Sequence, residues 1–249
     1  MLDLSSGSLV AVAATVGLVH TLAGPDHWLP FVAMAKAGGW SRRKTLVVTL
    51  LCGLGHVGGS LLLAAGGVAL GFSFEAAAEH VDGLAAARGS IATWLLIAFG
   101  ALYAAWGLKQ AARREPHGHA HAHADGTVHA HVHTHEATAH VHPHAASAAR
   151  SPRRVLTPWI LFSIFIFGPC EPLLPLVLAP QLAGQRGAWI AIVVAFTLAT
   201  LVAMSAAVLF GLRATSMLAR PRFARLARFQ HAIAGLLVLA CGVAMRCGL

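Results

Sequence analysis

Charge is scarce in this chain: Asp, Glu, Lys and Arg make up 11% of its 249 residues, where soluble globular domains carry about 25%. Hydrophobic residues make up 57% and the mean hydropathy is +0.70. That balance excludes a soluble domain with an ordinary polar surface and leaves a polytopic membrane protein. The four cysteines contain no CxxC pair, so a disulfide framework is not expected. Cys52, Cys170 and Cys241 fall in apolar runs, where a thiol ordinarily behaves as a small hydrophobe; Cys170, beside Glu171, could be a soft ligand but is read as an inert buried thiol. Lysine and arginine are missing from Met1 to Ala35. The start therefore lacks the basic segment of a secretory signal, no small-residue cleavage site closes the first apolar run, and a cleavable leader is not expected. No nucleotide-binding motif is present. The net charge of +9 does not point to nucleic acid, because the basic residues sit in short loops between apolar runs rather than on one face.

What the chain has is apolar length. Crossing a bilayer takes about 20 apolar residues in a helix, and six segments qualify: about 8–35, 45–72, 89–109, 155–181, 187–212 and 229–246. Lipid offers no partners to the backbone, so each is expected to be helical except where it lines a cavity. Lysine and arginine mark the cytoplasmic side. Fifteen of the 18 fall in loops 1–2, 3–4 and 5–6, leaving Arg88, Arg186 and Arg246 on the other side. The three basic loops should be cytoplasmic and both termini outside, in a bacterial inner membrane.

An internal echo refines the fold. Gly24-Pro25-Asp26-His27-Trp28-Leu29-Pro30 in span 1 is matched by Gly168-Pro169-Cys170-Glu171-Pro172-Leu173-Leu174-Pro175 in span 4. The copies lie three spans apart and so run in opposite directions, and inverted repeats with interrupted helices at mid-depth characterise secondary transporters. The expected fold is all-α, with six transmembrane helices as a 3+3 inverted repeat and helices 1 and 4 broken at Gly-Pro. Residues 1–114 would form the first half, 115–152 a histidine-rich cytoplasmic loop, and 153–249 the second half.

Ionisable side chains at membrane depth are costly, and by default they mark an ion or substrate path. In an unbroken helix His20 and His27 share a stripe but stand about 10 Å apart along the axis. An ion bonded to imidazole at about 2 Å cannot easily hold both. Pro25 removes a helical hydrogen bond and Gly24 tolerates unusual backbone angles, so a break there would draw the imidazoles together. Asp26 would supply negative charge against a dication. His56, in Gly55-His56-Val57-Gly58-Gly59-Ser60 of span 2, is expected to be the third imidazole facing the ion; Gly55 and Gly59 form a small-xxx-small pattern that admits a neighbouring helix. Glu171 is the other acid deep in a span, with three roles open to it: binding the ion, carrying a coupling proton, or bonding a freed backbone amide. Glu75, Glu79, His80 and Asp82 are placed on the outward loop 2–3, and His231 is read as structural or interfacial.

Eleven of the 16 histidines lie in the loop at 115–152: His117, His119, His121, His123, His129, His131, His133, His135, His140, His142 and His144. Such low complexity builds no core and is expected to be disordered without a ligand. Neutral imidazole suits nickel, copper, zinc and cobalt. The tract is expected to chelate metal in many weak modes, for buffering, sensing or delivery to a metallochaperone or metalloenzyme assembly protein rather than as the pore.

The run from His20 to His27 resembles the histidine-aspartate-histidine signature of the hydrogenase/urease accessory nickel permeases, within the nickel/cobalt transporter superfamily. Its spacing is closer to theirs than to the shorter signature of the NiCoT permeases. Gly55-His56 is similar to that superfamily's second histidine motif, and the histidine-rich loop between spans 3 and 4 to its nickel/cobalt efflux branch. The Gly-Pro-Cys-Glu-Pro run resembles the wider group of thiol-reductant exporters and cytochrome-biogenesis proteins. The resemblance implies a transporter rather than an enzyme, with Ni2+ or Co2+ as cargo, Zn2+ as a third choice, and no permanently bound cofactor. Import-like and export-like features coexist. Two rivals stand beside this reading. A thiol-redox transporter of the cytochrome-biogenesis type needs a second cysteine where span 1 has Asp26-His27. A non-transporting metal-delivery membrane protein would work through the histidine tract alone.

Overall fold

Helix α1 (Ser6–Ala23) ends at Gly24, a single 3-10 turn covers Pro25–His27, and α2 (Leu29–Gly38) sets off at 86° to α1. The computed structural model describes residues 6–69, 74–113, 117–122, 128–133, 153–168, 170, 172–173, 175–176, 189–217 and 224–248. The break after α1 has a local cause. Pro25 has no amide hydrogen to continue the ladder, so the chain turns tightly, with His27 N donating to Gly24 O at 3.1 Å and Trp28 N to Pro25 O at 3.3 Å. At the far end of α2, Gly39 takes φ +61°, the left-handed stop that glycine adopts without strain.

After it come α3 (Arg42–Ala69), α4 (Phe74–Arg113), α5 (Arg153–Phe167), α6 (Trp189–Met217), the short α7 (Ala224–Ala227) and α8 (Gln230–Arg246). Among the described residues, three helical segments are long and apolar enough to cross a membrane, Arg42–Leu62, Ala86–Ala112 and Trp189–Ser216, and a fourth if the bent α1–α2 pair counts as one span. The apolar stretches in α5 and α8 are shorter. Leu62, Leu102, Val202 and Phe210 are 64% to 76% exposed, an outward apolar surface compatible with lipid contact.

Two expectations are corrected by the backbone. Residues 74–82, expected as part of an outward loop, belong to α4. The alanine-rich run Glu75-Ala-Ala-Ala-Glu79 has strong helix propensity, and that outweighs its charges. Within the histidine tract, β1 (His117–Ala122) pairs antiparallel with β2 (Val128–His133), placing His117, His119 and His121 opposite His133, His131 and His129. Alternation of histidine with small residues has the period-2 pattern of a strand, which a reading by composition alone passes over. His123, His135, His140, His142 and His144 lie outside the described residues.

Glycine sets how closely the helices meet. Gly100 and Gly107 of α4 and Gly235 of α8 are so close to the opposite helix that a Cβ on any of them would land on backbone at Leu239, Ala232 or Ala104. Along the same interface the Tyr103 hydroxyl and His231 Nδ1 are hydrogen-bonded at 2.9 Å, which gives His231 a structural partner. A Cβ at Gly17 would lie 2.9 Å from Phe196 O, so α1 packs flat on α6. Helix α3 packs on α5 and α6. Inside these lies α2, packed against α8 and α6, with Pro30 to Ala35 and Ala37 buried and only Lys36 exposed. Phe31 and Met34 meet Leu161, Phe165, Met204, Val208 and Val238 in the main core.

Candidate metal centre

Three imidazoles converge where α1 comes apart. His20 is in the last turn of α1, His27 closes the 3-10 turn, and His56 sits midway along α3. The His20 and His27 ring centroids are 4.6 Å apart, and those of His27 and His56 are 5.2 Å apart. The break at Gly24-Pro25 thus closes the gap that a continuous helix would leave between His20 and His27. His27 and His56 are buried, each 5% exposed.

The hydrogen bonding around these rings is unbalanced. Seven buried side-chain polar atoms among the described residues make no well-formed hydrogen bond, and four of them are His20 Nε2, His27 Nε2 and both ring nitrogens of His56. An orphaned buried polar group costs about 1–3 kcal/mol. Their concentration at one point calls for an explanation beyond packing. His27 Nδ1, by contrast, lies 3.2 Å from Asp26 Oδ2 and 3.3 Å from Gly24 O. Both neighbours are acceptors, so Nδ1 carries the hydrogen and Nε2 presents a lone pair. That is how a carboxylate orients a metal-binding histidine. Asp26→Asn is expected to weaken the tight class of cobalt sites about 10- to 100-fold without loss of folded protein. Equilibrium dialysis of the purified protein measures this, and unchanged affinity would detach Asp26 from the centre.

Cys170 completes the group. Its Sγ and one ring nitrogen each from His20 and His56 all lie within 4.8 Å of one another, and the residue is fully buried. Its backbone is tied to α3. The Cys170 amide donates to Ser60 Oγ at 2.9 Å, and Ser60 is one helical turn beyond His56 on the same face of α3. Gly168 presses on His56: a Cβ added there would be 3.1 Å from His56 Nδ1. Sequence reasoning set Cys170 aside as a core thiol; the echo of Asp26-His27 by Cys170-Glu171 was the signal that pointed to it. Glu171 lies outside the described residues, as do the side chains of the tract histidines.

Arg88 is the other unforeseen participant. Its guanidinium donates from Nη2 to Ile166 O at 2.6 Å and from Nη1 to Gly59 O at 3.2 Å. The carbonyl end of α5 is thereby tied to α3 one turn from His56, so α4 braces α3, which supplies His56, and the end of α5, which Cys170 follows. A cleft of about 340 Å³ lined by Arg42, Phe210 and Arg213 lies elsewhere; Arg42 is about 21 Å along α3 from His56, and its charges disfavour a cation. Comparisons of the chain with family models, with curated protein sequences and with solved structures found no match.

Proposed function

We propose that the chain is a membrane transporter for a divalent transition-metal cation, nickel or cobalt foremost, which passes through the imidazole cluster at mid-membrane. One observation carries this reading: His20, His27 and His56 meet at a helix break with ring nitrogens that the fold leaves unbonded. A desolvated dication needs such donors, and imidazole suits nickel, cobalt and zinc. Asp26 orients His27 and lowers the electrostatic cost of the ion.

The transport architecture we propose is six spans in two inverted halves, with α1–α2 as span 1, α3 and α4 as spans 2 and 3, the segment begun by α5 as span 4, and α6 and α8 as spans 5 and 6. The packing pattern supports it. Exchange of the two halves maps the α1–α6 pair onto the α5–α3 pair and the α4–α8 pair onto itself, and these are three of the principal helix contacts. Gly24 follows α1 as Gly168 follows α5. Rocking of one half against the other about a fixed site would give alternating access, with the three basic loops cytoplasmic and an ion gradient as the driving force.

The test is flux of radioactive nickel or cobalt into or out of vesicles containing the purified protein. Flux is expected with wild type and to be lost with His27→Ala at equal protein incorporation. Equal rates for the two proteins would remove the imidazole path.

A further inference from the structure

We propose that the Cys170 thiolate is a ligand of the transported ion, in a nitrogen-nitrogen-sulfur set with His20 and His56, and that the cargo is therefore a thiophilic cation. This rests on the transport reading for its cargo but on separate atoms for its geometry. Around a tetrahedral ion with nitrogen at about 2.0 Å and sulfur at about 2.3 Å, neighbouring ligand atoms stand about 3.5 Å apart. The three donors here lie within 4.8 Å of one another, so about 1 Å of closure brings them onto one ion.

The thiol packs in an apolar cluster with Val57, Leu173, Ile192 and Phe196, and its backbone is held there as well. Its segment follows the break at the end of α5, and Ser60 Oγ fixes its amide to α3 at 2.9 Å. His56 and Ser60 are 5% and 2% exposed, and Cys170 is 0% exposed. Thus α3 supplies one nitrogen donor directly and positions the sulfur donor through its serine. His56 has no well-formed hydrogen bond at either ring nitrogen, so the fold itself does not account for an imidazole facing a sulfur.

A sulfur donor changes what the site selects. Imidazole alone accepts most first-row dications, whereas a thiolate favours soft and borderline ions and disfavours magnesium, calcium and manganese. On binding, the Cys170 S–H bond is replaced by a sulfur–metal bond, and the proton leaves to the water that the ion has shed. His27, with its rings 4.6 Å and 5.2 Å from the two histidines, stands beside this set as the next imidazole along the path.

Cobalt(II) reports the sulfur directly. The full chain in detergent is titrated with Co2+, and the near-ultraviolet thiolate-to-cobalt charge-transfer band is followed. The histidine tract contains no sulfur and cannot contribute to it. The band is expected in wild type, to vanish in Cys170→Ser, and to persist in the chain carrying Cys52→Ser, Cys241→Ser and Cys247→Ser together. That triple variant keeps the test decisive should Cys170→Ser fail to fold. Cobalt binding without the band in wild type, its survival in Cys170→Ser, or its loss from the triple variant overturns the assignment. The two proposals fail separately. Flux that needs His27 without a sulfur band leaves the transport reading and removes Cys170. A sulfur band with flux indifferent to His27→Ala does the reverse.

Discussion

His56→Leu is expected to leave the metal-free protein as stable as wild type, or more so, and to abolish metal movement. The two effects share one cause. His56 is 5% exposed with no well-formed hydrogen bond at either ring nitrogen, and a buried polar group left unsatisfied costs about 1–3 kcal/mol. Leucine has a similar volume, keeps contact with Phe165 and Gly168, and removes that burden. A buried residue whose loss stabilises is retained for function, the usual trade between stability and activity. Flux should fall at least about 100-fold, because loss of a direct ligand exceeds the 10- to 100-fold effect of a residue that only orients one. Thermal unfolding in detergent and vesicle flux together check it. A destabilised variant with normal flux would make His56 a packing residue.

The largest structural effect is expected from Gly107→Val. The added side chain would be directed at the backbone of His231 and Ala232, which no change of rotamer relieves. Overpacking a core ordinarily costs about 1–3 kcal/mol; here α4 and α8 must part along an interface that also holds Gly100 against Leu239 and Gly235 against Ala104. Interhelical packing, not the hydrophobic effect, holds membrane helices together, so separation should cost most of the folded protein. The monodisperse fraction on gel filtration is expected to collapse for Gly107→Val. It should be preserved for Gly58→Ala, where an added Cβ meets nothing within 4 Å.

The break in the first segment was legible because proline and glycine act through the backbone, and their effect needs no knowledge of the fold. The three histidines were legible for a related reason: a costly group in an apolar run asks for a purpose. Cys170 was less so, since a thiol in such a run is inexpensive and ordinarily packs as a small hydrophobe; its approach to His20 and His56 is a tertiary fact. The α4–α8 contact left a trace in Gly100, Ala104 and Gly107, small residues three and four apart, which went unread because the charged motifs drew the weight. Arg88 was placed on a loop by counting basic residues. The helix runs on past that point, and its guanidinium folds back to two carbonyls, a tertiary fact that charge counting does not contain.

The enclosure of α2 bears on how the protein is made. This segment leaves the ribosome well before α6 and α8, the helices packed against it. During synthesis it has no proper neighbours, and Lys36 is its one side chain suited to water. Its docking therefore waits until α6 and α8 have been made, and α8, which also packs against the Pro25–His27 turn, then closes the imidazole cluster on that side.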